Sequence, residues 1–373
     1  MHAIYMQQAI TQALKGQGHC APNPMVGCVL VKDGQIIGQG YHHAYGRSHA
    51  ERDALQNIPP QDTQGATAYV TLEPCSHYGK QPPCVDALIE AGITHVVFPF
   101  CDPDPKVSGQ GLKKLQQAGI KVILGVMAED CFGLVQDFMK HRITALPLVR
   151  AKWAMSLDGK IATHTGDSRW ISGTESRKQA HILRHQSQAI LIGAHTLRTD
   201  NPKLNVRADI HNPSYPIPVI LAGQKAVPLG AKIFKNPQTI LITPHNYRHK
   251  IPQNIHHIAL KANDDGYIDP KECLKALGQQ KIISLLIEGG GNLLASFMQK
   301  DCIDEYHVFV APKLIGGKQA PTAFDGQGFA QMAQAQKLHL CAQNIMDSDI
   351  YLQYESQNFQ AWKKEQIACL QAL

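Results

Sequence analysis

Apolar positions in the first third of the chain alternate between a helical and an extended rhythm. Residues 4–15 carry Ile4, Ala9, Ile10, Ala13 and Leu14 at helical spacing, and Gly16 ends the run. Two apolar runs, 25–31 and 35–41, flank Asp33-Gly34, which predicts a hairpin. Ser48 is a cap for a helix reaching Asn57. A buried strand follows at 66–72, then a helix over 84–91 that opens after Pro82-Pro83 and stops at Gly92. A strand at 95–100, a loop at 102–111, a helix at 112–118 and a strand at 120–126 complete an α/β sandwich.

The pattern then restarts. A helix over 129–143 leads to Ala145-Leu146-Pro147, where the boundary falls. Beyond it come a strand at 148–155, a helix at 175–185 and strands at 189–193, 217–221, 239–243 and 284–287. Glu288-Gly289-Gly290-Gly291-Asn292 opens a helix over 293–300, and late strands at 306–314 and 349–354 are expected at the sheet edge. The reading is a domain over 1–146, a second over 147–356, and a tail over 357–373 of unknown role that suits one amphipathic helix. A length of 373 residues with 44% apolar content agrees with two globular domains. The net charge of +6 is too mild and too dispersed to mark a nucleic-acid surface. No signal peptide precedes the first helix, and the longest apolar runs, such as 282–287, are too short for a bilayer, so no membrane partner is expected. Ten cysteines without regular spacing suit a reducing, cytoplasmic compartment.

The chemistry concentrates at His49-Ala50-Glu51, Pro74-Cys75 and Cys84. One imidazole and two thiolates suit tetrahedral Zn2+ with a fourth position for water, which the metal acidifies. Glu51, two residues past the histidine, serves that water as the catalytic proton carrier. Zinc deaminases show H-x-E followed by P-C-x-x-C. Here the second half is stretched to P-C-x8-C, so the insert 76–81 must loop out, offering His77 and Lys80 to a phosphate or ribose. On a regular helix His49 and Glu51 would point about 200° apart, so both face one centre only if the first turn is irregular.

Asn23-Pro24-Met25-Val26-Gly27, His49-Ala50-Glu51, the run from Glu73 to Lys80, Pro83-Cys84 and Asp102-Pro103-Asp104-Pro105 together resemble the bifunctional deaminase–reductases of bacterial riboflavin biosynthesis. So do Ser156-Leu157-Asp158-Gly159-Lys160, Ser168-Arg169-Trp170-Ile171, Asp200-Asn201-Pro202-Lys203-Leu204 and Glu288-Gly289-Gly290, leaving only the tail uncovered. The resemblance implies an α/β chain with a cytidine-deaminase-like three-layer α/β/α domain followed by a dihydrofolate-reductase-like α/β domain. It implies deamination of 2,5-diamino-6-(5-phosphoribosylamino)pyrimidin-4-one, then reduction of the ribosyl group to ribityl by NADPH. His49, Cys75 and Cys84 would hold zinc, with Asn23, His42, His77 and Lys80 on the first substrate. Asp104 stands where the family more often has Asn, and its charge would repel a substrate phosphate.

The second half lacks the dinucleotide fingerprint G-x-G-x-x-G. Its glycine triplet before a helix offers bare N–H groups for a pyrophosphate, or merely a tight turn. By resemblance, Ala154, Trp170, Thr196, Asp200 and Gly290, Gly291, Asn292, Leu293, Leu294, Ala295 and Ser296 would contact NADPH. Ser168, Arg184, Leu204, Arg207 and Glu288 would contact substrate, the two arginines as phosphate forks. Lys152 and Asp200 are the two candidates for proton delivery. Oligomeric state is open, a homo-oligomer being one option. A rival reading is a nucleoside or RNA-base deaminase joined to an unrelated oxidoreductase. Scattered Lys and Arg and 6% aromatic residues count against an RNA channel. A second rival, a zinc-stabilised scaffold, predicts a closed metal site, whereas three ligands and an intact Glu51 are seen.

Overall fold

The computed structural model describes residues 1–78, 81–104 and 107–372. The chain divides into two compact units, one formed by Met1–Ala145 with the segment from Trp362 onward, the other by Leu146–Ala361. The first runs α1 (His2–Leu14), β1 (Gly27–Lys32), β2 (Gln35–Tyr41), α2 (Ala50–Leu55), α3 (Pro60–Thr63), β3 (Thr67–Val70), α4 (Cys84–Glu90), β4 (His95–Phe98), α5 (Gln110–Gln117), β5 (Lys121–Leu124) and α6 (Ala128–Thr144). Its five strands lie in the order β2-β1-β3-β4-β5, antiparallel across β2-β1-β3 and parallel from β3 to β5. One face meets Ala50, Ala54, Val85, Leu88, Leu112 and Leu115 from α2, α4 and α5. Helices α1 and α6 supply further buried residues, among them Met6, Ala9, Phe132 and Met139, giving the three-layer sandwich.

The second unit runs β6 (Leu148–Ser156), α7 (Thr174–His185), β7 (Ala189–Gly193), α8 (Ala194–Asp200), β8 (Ile217–Leu221), β9 (Ile240–Pro244), β10 (His256–Leu260), α9 (Pro270–Gln279), β11 (Ser284–Glu288), α10 (Gly291–Gln299), β12 (Glu305–Ala311), β13 (Leu338–Met346) and β14 (Asp349–Ser356). Its nine strands are ordered β10-β9-β8-β7-β11-β6-β12-β14-β13. They are parallel from β10 to β12, and β14 alone runs the other way, antiparallel to both β12 and β13. Helix α11 (Gln357–Gln371) follows. Its later residues join the first unit, where Trp362 meets Phe132 edge-on and Leu370 O accepts the Cys101 N–H at 3.0 Å.

Several expectations shift. Helix α2 starts at Ala50 with His49, not Ser48, as its N-cap, and it ends at Leu55 before Asn57 at φ 67°. The strands expected at the edge over 306–314 and 349–354 are both interior, β12 between β6 and β14 and β14 between β12 and β13, and the sheet ends in β10 and β13. Strand β13 is exposed along almost its whole length, so it has no apolar–polar alternation to read. Strand β10 and helices α8 and α9 also went unforeseen.

Close approach of α2 to the sheet depends on missing side chains at Gly38 and Gly40 of β2. A Cβ on Gly40 would lie 2.2 Å from Ala54 N and 2.5 Å from Ala50 O, inside the backbone of α2. Gly40→Ala is therefore expected to destabilise the first unit by about 1–3 kcal/mol through overpacking. Thermal unfolding of the variant checks this, and an unchanged midpoint would rule out the close fit as a constraint.

Candidate functional site

In the first unit two loops and two helix starts converge. His49 is extended (φ −74°, ψ 161°) and its carbonyl accepts the Asp53 N–H at 3.0 Å, so it lies outside the helix it caps. That removes the angular conflict: Glu51 points from the first helical turn, His49 from the residue before it. Strand β3 ends four residues before Pro74 and delivers Cys75, while Pro82-Pro83 brings Cys84 to the first position of α4. The Cys84 backbone N–H points at Cys75 Sγ at 3.4 Å, as orphan donors at a helix start favour a thiolate.

His49 Nδ1 lies 3.5 Å from Cys75 Sγ and 3.4 Å from Cys84 Sγ, and the three donor atoms all fall within 4.8 Å of one another. Zinc at ~2.3 Å from sulfur and ~2.0 Å from nitrogen in tetrahedral geometry requires ligand separations of about 3.5–3.8 Å. The residues fit the metal. Among themselves they already show its logic: the Cys75 thiol is pulled well down by the hydrogen bond from Cys84 and then by His49, while Cys84 is pushed up by that sharing and by burial. Glu51 is 3% exposed; burial and then the Cys75 charge raise its carboxyl above the usual range, and it touches the Cys84 thiol. A buried carboxyl beside the metal-type donors is placed to carry a proton between water and a ligand.

Around this centre His42 is buried, hydrogen-bonded through Nδ1 to Ser48 O at 2.9 Å and through Nε2 to Asn23 Nδ2 at 3.3 Å. Its ring meets His49 edge-on at 5.5 Å, and burial lowers its pKa. His77 Nδ1 is buried with no hydrogen-bond partner among the described residues, an acceptor or donor available to a ligand. Lys80 lies outside the described residues.

Two supporting roles are visible only in the structure. Arg52 donates to Pro82 O at 3.3 Å and Pro83 O at 3.1 Å, tying the turn before Cys84 to α2. Buried Glu73 accepts the N–H groups of Asp102 (2.8 Å), Gly109 (3.0 Å) and Leu112 (3.0 Å), clamping the stem of the Cys75 loop to the start of α5. Their only sequence signal is adjacency to the ligand motifs.

In the second unit Arg184 reaches both oxygens of Glu288, Nε and Nη2 each at 2.7 Å, and Nη1 donates to Asn205 O at 3.0 Å. Its Nε and Nη2 thus face a carboxylate of the same unit. Burial would raise Glu288, yet Arg184 and Lys152 hold it down to about 2. Lys152 pairs with Glu288 in the β6–β11 register, and burial lowers its pKa. Its ammonium sits 5.8 Å from the Phe309 ring. Arg207 is exposed; its backbone N–H donates to His181 Nδ1 at 3.3 Å. Asn205 Oδ1 is buried and unpartnered among the described residues, a ligand acceptor that the sequence did not single out.

Gly289 and Gly290 adopt φ 98° and 67°, and a Cβ on either would lie 3.3–3.5 Å from Thr196 Oγ1, so Thr196 and the glycine turn are neighbours. Leu294, Ala295 and Leu204 are buried in the apolar core, which leaves only their backbone for a ligand. Ala154 packs partly against that core. Asn292, Asp200 and Ser168 are exposed, while Gly291 is buried and Leu293 and Ser296 are half-buried. Trp170, an option for core packing on sequence alone, is 63% exposed with the Arg177 guanidinium 4.7 Å from its ring centre.

Residues 1–99 match the cytidine and deoxycytidylate deaminase zinc-binding region, and residues 147–346 match the RibD C-terminal domain. Riboflavin biosynthesis protein RibD of Actinobacillus pleuropneumoniae is 41% identical over 357 residues, 94% of each chain. The Escherichia coli (strain K12) relative is 37% identical over 346 residues, 90% of this chain and 92% of its own. Among solved structures, Acinetobacter baumannii RibD aligns with a TM-score of 0.86 at 39% identity, covering 95% of this chain and 99% of the other. A Thermotoga maritima diaminohydroxyphosphoribosylaminopyrimidine deaminase/5-amino-6-(5-phosphoribosylamino)uracil reductase aligns with a TM-score of 0.84 at 34% identity, covering 95% and 98%. Sustained over both units, this likeness places the chain in the RibD family, the bifunctional enzymes of riboflavin biosynthesis that join a zinc-binding pyrimidine deaminase to a nicotinamide-dependent reductase.

Proposed function

We propose that the deaminase works at His49, Cys75, Cys84 and Glu51 within residues 1–146, and the reductase at the Lys152–Arg184–Glu288 cluster within 147–356. The substrate is the phosphoribosylated diaminopyrimidinone, and the reductant is NADPH, as the family implies. The observation that carries the first half is a buried carboxylate beside three metal-type donors drawn from separate loops.

Bound zinc would supply the Lewis acidity that makes water nucleophilic near neutral pH. Glu51 takes a proton from the attacking water, passes it to the ring nitrogen, and later protonates the amine that leaves as ammonia. Asn23, His42 and His77 hold the pyrimidine and its sugar, and the buried, unpartnered His77 Nδ1 supports this. In the second unit bound NADPH would supply the hydride for the sugar carbon, and the chain supplies the proton for the oxygen released as the ring opens. Lys152 suits that proton better than Asp200, because it is buried beside Glu288 and Arg184 whereas Asp200 is exposed. Trp170, Thr196 and the backbone from Gly290 to Ser296 hold the cofactor; Ser168, Leu204, Arg207 and Glu288 hold the substrate. Thiolate ligands call for a reducing compartment, which supports a cytoplasmic location. Among the described residues no helix is long and apolar enough to cross a membrane. Exposed Leu338, Leu340 and Ile345 on edge strand β13 support a homo-oligomer joined along that edge.

Glu51→Gln should keep its zinc and lose deamination by about 10²–10⁴-fold, while reduction of pre-deaminated substrate survives. Ammonia release at the wild-type rate would refute the role of Glu51. Lys152→Met should slow the reductase turnover by a factor on the order of 10²–10⁴, whereas Asp200→Asn should raise the KM for NADPH instead. The reverse ranking in steady-state kinetics would make Asp200 the proton donor. Ile345→Asp should lower the mass measured by light scattering, and a monomeric wild-type protein would remove the proposed edge contact.

A further inference from the structure

Helix α7 carries three polar side chains on one stripe. Arg177, His181 and Arg184 fall at i, i+4 and i+7, within about 60° of each other around the axis. Each holds a different part of the loops proposed to carry ligands. Arg177 lies 4.7 Å beneath the Trp170 ring and is locked there by hydrogen bonds from Nη1 to Ser172 O (2.6 Å) and from Nη2 to Thr174 Oγ1 (3.1 Å). His181 Nδ1 accepts the Arg207 backbone N–H at 3.3 Å. Arg184 donates to Asn205 O at 3.0 Å, two residues earlier in the same loop.

We propose that Arg177 and His181 are positioning residues for the reductase. Arg177 sets the cofactor-stacking face of Trp170, and His181 sets Arg207 for the substrate phosphate. The inference rests on the assignment of Trp170 to cofactor and Arg207 to substrate made above. An indole that is 63% exposed has no core to fix it, so a cation seated on one face decides where the other face points. Lys313 Nζ bonds the Trp170 carbonyl and fixes the backbone beneath the ring. The loop at 201–207 has the same need. Leu204 sits at φ 51° and is 4% exposed, so it anchors the middle of the loop, whereas Arg207 lies on the exposed side and is steadied by His181. Because Nδ1 accepts, the imidazole must be neutral with its proton on Nε2. Burial, then Arg184 and Arg207, hold the His181 pKa down to about 4, in keeping with that tautomer.

The two halves predict opposite kinetic signatures in the full-length, zinc-loaded enzyme. His181→Leu fills the ring's space without an acceptor and should raise the KM for 5-amino-6-(5-phosphoribosylamino)uracil about tenfold, with kcat and the KM for NADPH unmoved. His181→Asn, whose Oδ1 stands where Nδ1 was, should recover most of that loss. Arg177→Met should weaken NADPH binding, followed by nucleotide fluorescence, about fivefold, with the KM for the pyrimidine unmoved. Deaminase activity serves as the internal check on folding, since it resides in the other unit. The proposal is overturned if His181→Leu leaves the pyrimidine KM within twofold, if Asn fails to rescue, or if each variant shifts both KM values together. If instead Trp170→Ala and Arg207→Ala leave NADPH and pyrimidine binding untouched, the assignment of those two residues to ligands is wrong.

Discussion

Two sulfur ligands held side by side in a half-buried site repel each other once both are ionised, and only a cation makes that arrangement favourable. Around that constraint the first unit is arranged. The hydrogen bond between the two sulfurs pulls Cys75 down and pushes Cys84 up, and His49 Nδ1 lies within 3.5 Å of both. Zinc would remove the conflict by taking both as thiolates, which is why metal binding of this kind releases protons and stabilises the fold. The scaffold supplies rigidity from three directions: Gly40 lets α2 lie on the sheet, Arg52 grips the proline turn, and Glu73 clamps the strand exit.

The second unit meets an opposite problem, an excess of positive charge. Lys152, Arg184 and Arg207 crowd His181, and Glu288 is the carboxylate that balances them. A bidentate Arg184–Glu288 pair with both side chains largely buried is worth most as geometry, because breaking it would leave a buried charge without a partner. Glu288 closes strand β11 just before the glycine turn, so the same few residues end the charge cluster and begin the segment assigned to the cofactor. Glu288 and the glycine turn therefore lie where parallel strands end, the place where open α/β sheets bind ligands.

Much of this was written in the chain. His49, Glu51, Cys75 and Cys84 announce themselves because metal chemistry restricts residue type severely, and Pro82-Pro83 and Gly92 punctuate α4. The alternation of strands and helices gave the α/β class in both halves. The sequence could not say that His49 stands outside α2, that Arg184 pairs with Glu288, or that Trp170 is exposed over Arg177. Nor could it separate an edge from an interior strand: β12 and β14 both lie inside the sheet, and the exposed edge strand β13 has no alternation to read.

The sequence by itself determined which chemistry is present: local periodicity, turn residues and ligand types are set by residues near one another along the chain. Only the tertiary structure decided which of those groups meet. Partners such as Arg184 and Glu288 are separated by 104 positions, and Arg177 finds Trp170 by the path of a loop without regular structure. Long-range pairing follows from strand order and packing, and neither leaves a mark on the residues that are brought together.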